Sequence, residues 1–169
     1  MRNFLILLFC LFLSVNALGQ NLTLSEIVAL RKNDLSNLDD VMTSKGWTLI
    51  NANKPSTEKY GVVEYAYQLE KYSDKANSFF EYYYSGKGND SRVRIQIHTT
   101  EKFTSYMNQI KSWGGKLIDT FVEENNIIKV YKGSTLTYRI ISSPRENKYT
   151  SNTYEILIYT NEDYDYYYQ

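Results

Sequence analysis

The sequence contains a single histidine, His98, and a single cysteine, Cys10. A Cys-His or Ser-His-Asp mechanism would therefore have to use this histidine. Its neighbours on the same predicted strand face are Arg94 and Gln96, and a nearby guanidinium disfavours the protonated imidazole. One histidine also cannot build the zinc or copper sites that clusters of histidine and cysteine form. The sequence predicts no metal and no cofactor, and it favours an exposed strand histidine over a catalytic one.

Paired carboxylates are a further catalytic possibility, since a glycoside hydrolase needs two of them flanking the scissile bond. Each candidate lies in a predicted strand, on a face that alternation indicates is solvated: Glu64, Glu81, Asp119, Glu123 and Glu155. No neighbouring residue marks one of them as buried with a raised pKa. The sequence favours a non-enzymatic protein, with a carboxylate-dependent hydrolase of cell-wall or glycan substrates as an alternative.

Tyrosine is the outlier of the composition, with 17 residues among 169. Alternation places a set of polar and aromatic side chains on one predicted face of a sheet, where we expect them to bind a partner: Tyr83, Arg92, Arg94, His98, Tyr131 and Arg139. Tyrosine and arginine are enriched at the energetic centres of interfaces, because each combines contact area with directional hydrogen bonds. Charged and aromatic cross-strand pairs also stabilise any exposed sheet, so a purely structural role is the alternative interpretation.

Residues 1–19 have the three regions of a secretory signal peptide. Arg2 gives a positive start, an apolar run extends from Phe4 to Leu13, and the small residues Ala17 and Gly19 form a cleavage site. The run is too short to cross a bilayer. The cysteine lies inside the run, whereas a lipid would be attached to a cysteine at the cleavage point. We expect a released, periplasmic or secreted protein that begins near residue 20 and contains no thiol.

The remainder of the chain is close to electrical neutrality. Because Arg2 lies in the signal segment, the mature chain carries one more acidic than basic residue, from totals of 19 each. This balance argues against general binding of nucleic acids or anionic membranes, and no second apolar stretch predicts membrane insertion. Small secreted eukaryotic domains usually depend on disulfides. An exported chain without them favours a bacterial source.

Two helices are marked by their ends. A T-x-x-E capping box at Thr23 and Glu26 predicts the start of the first helix, and Gly46 is placed to end the second. A third helix is predicted at about 101–113, followed by Gly114. Strands are predicted before it at about 47–51, 60–69, 78–85 and 91–99, and after it at about 116–123, 126–132, 135–143 and 153–160.

The order of elements occurs twice, in residues 20–99 and in residues 100–160. Aligning Gly46 with Gly114 pairs apolar positions of the two halves, which indicates either a duplication or the ordinary repetition of amphipathic elements. We therefore predict an α+β fold, an antiparallel sheet of about eight strands with helices packed on one face, in two tandem α-β4 halves. Predicted core residues lie on apolar stripes or alternating faces: Ile27, Leu38, Met42, Trp47, Val93, Ile95, Ile97, Phe103, Ile110 and Trp113.

The C-terminal segment, residues 161–169, contains three acids and four tyrosines. Such an end is most often a frayed extension of the last strand, and this is the structure we expect. A short recognition segment that pairs with the sheet edge of another protein is the alternative.

This order of elements resembles the tandem helix-plus-four-strand repeat of the β-lactamase inhibitory protein family. It also resembles small periplasmic domains such as the outer-membrane assembly lipoproteins of the BamE type. The resemblance lies in the predicted element order and in no sequence motif, so it assigns no residue a role. It implies a protein that grips other proteins and does not perform chemistry.

The sequence thus predicts an exported, non-enzymatic interaction protein whose open, Tyr/Arg-rich sheet face binds another macromolecule, either a protein, which we favour, or a glycan. A carrier of a small ligand or lipid, with a cavity between helices and sheet, is a further alternative. A hydrolase would show two carboxylates converging in a cleft, and a carrier would show an apolar cavity of ligand size. A binder would show an exposed aromatic patch.

Export can be tested directly. We expect the secreted product to begin near residue 20, because the charged start, the apolar run and the small residues before Gln20 form a complete cleavage signal. Mass spectrometry of the protein recovered from its native compartment measures the N-terminus. An intact Met1, or a lipid on Cys10, would contradict the prediction.

Overall fold

The chain folds around one antiparallel sheet, and a computed structural model describes residues 21–86, 91–144 and 152–168 of it. The sheet contains eight strands: β1 (Trp47–Asn53), β2 (Gly61–Tyr67), β3 (Ser78–Tyr84), β4 (Ser91–Ile97), β5 (Lys116–Glu123), β6 (Asn126–Lys132), β7 (Leu136–Ser143) and β8 (Thr153–Thr160). Each strand lies where the sequence predicts one, with small shifts at the ends. The predicted signal peptide, residues 1–19, lies outside the described residues.

Four helices accompany the sheet within these ranges: α1 (Leu24–Leu30), α2 (Leu35–Ser44), α3 (Thr100–Ser112) and α4 (Asn161–Tyr168). The sequence predicts the first three and not the fourth. In the part of the chain that the structure describes, no helix has the length and apolar character needed to cross a bilayer. The predicted α+β class, with one antiparallel sheet of eight strands, is confirmed.

The two halves of the sheet are joined through their last strands. The strand order is β1-β2-β3-β4-β8-β7-β6-β5, so each half is a simple meander. At the join, β4 pairs antiparallel with β8, with Val93 opposite Ile158 and Ile95 opposite Ile156. All four side chains are fully buried. As a consequence, β1 and β5 form the two outer edges.

The junction between helix and strand has the same geometry in both halves. α2 and α3 are each followed by a glycine in the left-handed region, Gly46 at φ 79° and Gly114 at φ 84°, where glycine avoids the steric penalty of a Cβ atom. The next strand shifts register at Ile50 in β1 and at Ile118 in β5, at equivalent positions after each glycine. Such bulges also discourage an edge strand from pairing with other chains.

The first helix begins at the predicted capping box. Thr23 Oγ1 accepts a hydrogen bond from the Glu26 N–H at 3.2 Å, and the Thr23 N–H donates to Glu26 Oε2 at 2.7 Å. Lys45, at the end of α2, forms an ion pair with Glu26 Oε1 at 2.8 Å. Burial acts to raise the pKa of Glu26, but the Lys45 and Thr23 contacts outweigh it and lower the pKa to about 2. The box therefore also ties α1 to the end of α2.

The main core lies between the sheet and helices α1, α2 and α3. Phe103 is only partly buried and stacks on Tyr154 with ring centroids 4.0 Å apart. Trp113 is 42% exposed, so its predicted place in the core is wrong. Trp113 is the C-cap of α3, where the chain leaves the helix, and this explains its exposure. The other predicted core residues are buried: Ile27, Leu38, Met42, Trp47, Val93, Ile95, Ile97 and Ile110.

Residues 161–168 form a helix, so the predicted frayed extension of the last strand is wrong. Thr160 Oγ1 accepts a hydrogen bond from the Asp163 N–H at 3.0 Å, which is the bond made by an N-cap threonine. Glu162 and Asp163 add negative charge in the first turn, where the helix dipole favours it. The same T-x-x-acid pattern marks α1. The sequence does not predict this helix, because the tyrosines and acids that follow Thr160 show no apolar periodicity.

The burial pattern predicts a contrast between two core candidates. Ile95→Ala should lower the free energy of unfolding by about 2–5 kcal/mol, because it leaves a cavity at the β4–β8 join. Trp113→Ala should lower it by less than about 1 kcal/mol, because much of the indole is already in solvent. Urea unfolding of the two variants measures both values. Equal losses would contradict the placement of these side chains.

Candidate functional site

Helix α4 covers part of the sheet face that α1, α2 and α3 leave open. Leu157 and Tyr159 of β8 point to this face, and the ring of Tyr164 packs edge to face on Tyr159 with centroids 5.7 Å apart. Ile128 and Val130 of β6 are buried in the same small cluster. The open face is therefore divided into a part beneath α4 and a part that α4 does not contact.

Arg92 clamps α4 to the sheet. Its Nε and Nη2 donate to Asp163 Oδ2 and Oδ1 at 2.5 and 2.7 Å. Its guanidinium carbon lies 4.3 Å from the ring centroid of Tyr60 and 3.9 Å from that of Tyr167. Burial acts to lower the pKa of Arg92, but the hydrogen bonds and the charge of Asp163 more than reverse this effect and raise the pKa. A bidentate carboxylate and two ring contacts thus occupy this guanidinium within the chain.

Arg139 of β7 makes a second contact with α4. It is buried at 7% exposure, and its Nη2 donates to Glu123 at the end of β5. The guanidinium carbon lies 5.5 Å from the ring centroid of Tyr168. Next to these groups, Thr137 Oγ1 donates to Asn161 Oδ1 at 2.8 Å. The second half of the sheet therefore also holds the helix through polar side chains.

Beyond the contacts of α4, Arg94 lies between two carboxylates. Its Nη1 donates to Glu81 Oε1 at 2.8 Å, and its Nε donates to Glu155 Oε2 at 2.9 Å. Burial acts to lower the pKa of Arg94, but Glu155 and Glu81 more than reverse this effect and raise it. The Tyr83 hydroxyl donates to Glu81, and burial together with this carboxylate raises the pKa of Tyr83.

Glu64 adds a third carboxylate to this part of the face. It lies opposite Glu81 in the β2–β3 pairing and has no ion-pair partner among the described residues. Burial, and then the charge of Glu81, raise the pKa of Glu64, while Asn51 and Arg94 partly oppose them. Three carboxylates thus lie around one guanidinium, which pairs with Glu81 and Glu155 only. We call this set, Glu64, Glu81, Arg94 and Glu155, the acidic strip.

A cleft of about 630 Å³ opens at the end of the acidic strip. Phe79 and Gln96 of the sheet line it, together with His98 just after β4. The loop after β2 contributes Gln68 and Asn77, whose amides are hydrogen-bonded to each other. The lining therefore combines one phenyl ring with amide groups that can both donate and accept hydrogen bonds. It also includes charged side chains: Glu70, Asp74, Lys75 and Glu155.

The imidazole of His98 is half-buried at this cleft. Its Nδ1 lies 3.4 Å from Thr153 Oγ1 at the start of β8. Burial lowers the pKa of His98, and the charge of Glu155 only partly opposes this effect. The imidazole is therefore neutral at pH 7, and it can offer one donor and one acceptor to a bound group.

The structure separates the six predicted binding residues. Arg94 and Tyr83 belong to or adjoin the acidic strip, and His98 lines the cleft. Arg92 and Arg139 lie beneath α4 and are paired within the chain. No pattern in the sequence indicates the loop residues of the cleft, and none predicts Asp163 as the partner of Arg92. Thr160, three residues before Asp163, is the sequence feature that could have predicted the start of α4.

Tyr131 faces the helices, so its predicted place on the open face is wrong. It is buried at 8% exposure and belongs to the main core. Strand β6 has apolar side chains on both faces. Ile128 and Val130 lie in the cluster with α4, and Tyr131 lies in the main core. Alternation alone therefore does not decide which side of this strand faces the helices.

Together, fold and site define an α+β protein whose sheet has different surroundings on its two faces. Three helices pack one face, and the other face is shared between α4 and an acidic strip that ends in a polar cleft. No protein-family model, curated protein or solved structure matches the chain. Its function is therefore argued from the contacts of the site.

The clamp on α4 predicts different effects for two aspartates of that helix. Asp163→Asn should lower the free energy of unfolding by about 2 kcal/mol or more, because it leaves the Arg92 cation largely buried and poorly paired. Asp165→Asn should change it by less than about 1 kcal/mol, because its Lys132 ion pair is more exposed. Chemical denaturation gives both values. A larger loss for Asp165→Asn would contradict the clamp.

Proposed function

We propose that this is an exported, non-enzymatic binding protein that holds another protein against the uncovered part of its open sheet face. The observation that carries the proposal is the acidic strip with the cleft at its end. Arg94 keeps 32% of its side chain exposed there, although most of its hydrogen-bonding capacity is used within the chain. The face thus offers a rigid, charged surface that α4 does not contact.

Charge indicates the kind of partner. The strip has three carboxylates for one guanidinium, and Glu64 has no cation of its own among the described residues. A lysine or arginine from a partner would neutralise this excess negative charge. The resulting ion pair would become stronger as the strip is desolvated. We therefore propose that the partner presents a basic segment. This differs from the sequence-based expectation, in which the arginines themselves lead the contact.

The cleft would supply the specific part of the interaction. Phe79 gives an apolar surface, and Gln68, Gln96 and His98 give directed donors and acceptors. An extended segment with its own peptide groups matches such a lining, because each residue of it presents one donor and one acceptor. We propose that the basic side chains lie on the strip and that the segment continues into the cleft.

Contacts of the site favour this proposal over the two alternatives. In a hydrolase, the substrate would lie between the two carboxylates, but the Arg94 guanidinium fills the space between Glu81 and Glu155. In a carrier, an apolar cavity would separate the helices from the sheet. Here large side chains such as Tyr65, Phe80 and Tyr106 pack into that layer.

Export remains part of the proposal and rests on the sequence of residues 1–19. It agrees with a chain whose only cysteine lies in that segment, because the mature protein would then need no defined redox environment.

A displayed library of random peptides, panned against the mature protein, tests the proposal. We expect enriched peptides to be basic and to bind less tightly as salt rises. Glu64→Lys should weaken the best peptide at least about tenfold, because it replaces a carboxylate that has no cation among the described residues with a repelling charge. The fold should tolerate the change, since the new lysine can pair with Glu81.

Glu101→Lys is the matched control, because Glu101 is exposed on α3 at the opposite side of the sheet. It makes the same change in net charge and should leave the affinity within about twofold. Equal weakening by both variants would reduce the interaction to net charge. Enrichment of acidic peptides, or of none, would overturn the proposed partner.

A further inference from the structure

Arg31 differs from the other arginines that the structure describes. Arg92, Arg94 and Arg139 each form an ion pair with a carboxylate. Arg31 forms none among the described residues, although it is buried at 7% exposure. A buried cation without a counter-charge is unfavourable, because it has lost water and gained no ion in exchange. Its surroundings therefore indicate what could supply the missing charge.

The guanidinium of Arg31 is only partly satisfied. It lies in the turn between α1 and α2, and its Nη1 donates to the Ser91 carbonyl oxygen at 3.2 Å. Its Nε is buried and has no hydrogen-bond partner among the described residues, as is also true of Arg139 Nε. Burial lowers the pKa of Arg31, and the charge of Asp163 partly opposes this effect. An arginine nevertheless stays charged at neutral pH.

A cavity of about 620 Å³ lies against this side chain. Its lining includes Arg31 and the exposed Lys32, and also the tyrosines Tyr82 and Tyr84. The two rings are stacked, with centroids 6.1 Å apart and planes inclined by 24°. The cavity thus combines two cations with a flat aromatic wall.

The N-terminus of α2 meets the same cavity through Asp34 and Leu35. The Asp34 carboxylate is the N-cap, and it accepts from the Asn37 N–H at 2.8 Å and from Asn37 Nδ2 at 3.0 Å. These bonds commit the carboxylate to its own helix. The helix dipole and the remaining N–H groups of the first turn favour a negative charge near this point.

We propose that this cavity binds a small organic oxyanion. A carboxylate or phosphate group would pair with the planar guanidinium of Arg31, assisted by Lys32 and the start of α2. The body of the ligand would pack on the rings of Tyr82 and Tyr84, which accounts for a cavity larger than an inorganic ion needs. Tyr82 faces the main core, so this site lies on the other side of the sheet from the acidic strip.

Phenyl phosphate, benzoate and inorganic phosphate are the probes, each titrated into the mature protein by calorimetry at constant ionic strength. We expect phenyl phosphate or benzoate to bind more tightly than inorganic phosphate, because the ring adds contact with the tyrosines. Which of the two binds better distinguishes a phosphate ester from a carboxylate. Arg31→Met should weaken binding at least about tenfold, and Lys32→Gln about two- to fivefold.

Lys111→Met is the matched control, since this lysine lies in the last turn of α3, outside the residues that line the cavity. It should bind the probes like the parent protein. Lys32→Gln changes an exposed side chain, so it provides a folded variant even where Arg31→Met lowers stability. Failure of all three probes to bind, or equal affinity in the parent protein and Arg31→Met, would overturn the proposal.

Thermal unfolding gives an independent readout. Without an added oxyanion, Arg31→Met should melt at or above the temperature of the parent protein, because it removes a buried cation that has no ion pair among the described residues. With phenyl phosphate, the midpoint of the parent protein should rise and that of the variant should not. A variant that melts lower without ligand, combined with a parent midpoint that ignores every probe, would show a purely structural arginine.

Discussion

Pairing of β4 with β8 is the constraint on which the rest of the structure depends. Each half of the sheet is a meander of neighbouring strands, which forms locally, whereas β4 and β8 are distant in sequence and must meet to make one sheet. Their contact buries Ile95 and Ile156 against the helices. The same two strands carry Arg94 and Glu155 on the other face. One pairing therefore creates both the core and the acidic strip.

Helix α4 changes how the tyrosines and arginines of the open sheet face are interpreted. Arginine and tyrosine on an exposed sheet suggest a surface for a partner, and here the chain supplies much of that partner itself. Asp163 and Tyr167 satisfy Arg92, and Tyr168 contacts Arg139. Arg92 and Arg139, which a binding partner would otherwise contact, thus contact residues of α4. What remains for a partner is the region where carboxylates outnumber their cation.

Much of the fold could be predicted because its signals are local. The Thr23 capping box and the alternation of Val93, Ile95 and Ile97 each depend on neighbouring residues, and both interpretations are confirmed. Tyr131 could not be assigned to a face, because whether β6 is covered on one side or two depends on a helix from the other end of the chain.

The candidate sites were less predictable for the same reason. Glu64, Glu81 and Glu155 are recognisable in the sequence as strand carboxylates, but their position around one arginine follows from β-strand register. That Arg31 forms no ion pair with the described residues is visible only in three dimensions, since it depends on which carboxylates reach the α1–α2 turn. Long-range contacts decide these features, and no local pattern encodes them.

The excess of carboxylates in the acidic strip and the buried Arg31 are better explained by binding than by stability. An ion pair buried for stability alone can often be replaced by apolar side chains without loss, and a fold gains nothing from an excess of one sign. The acidic strip nevertheless has three carboxylates around one guanidinium, and the helix side has a buried arginine with no ion pair among the described residues. Each arrangement becomes favourable when a group of opposite charge binds, a basic segment at the strip or an oxyanion at Arg31. The unbalanced charges therefore mark the surfaces where binding would be most favourable.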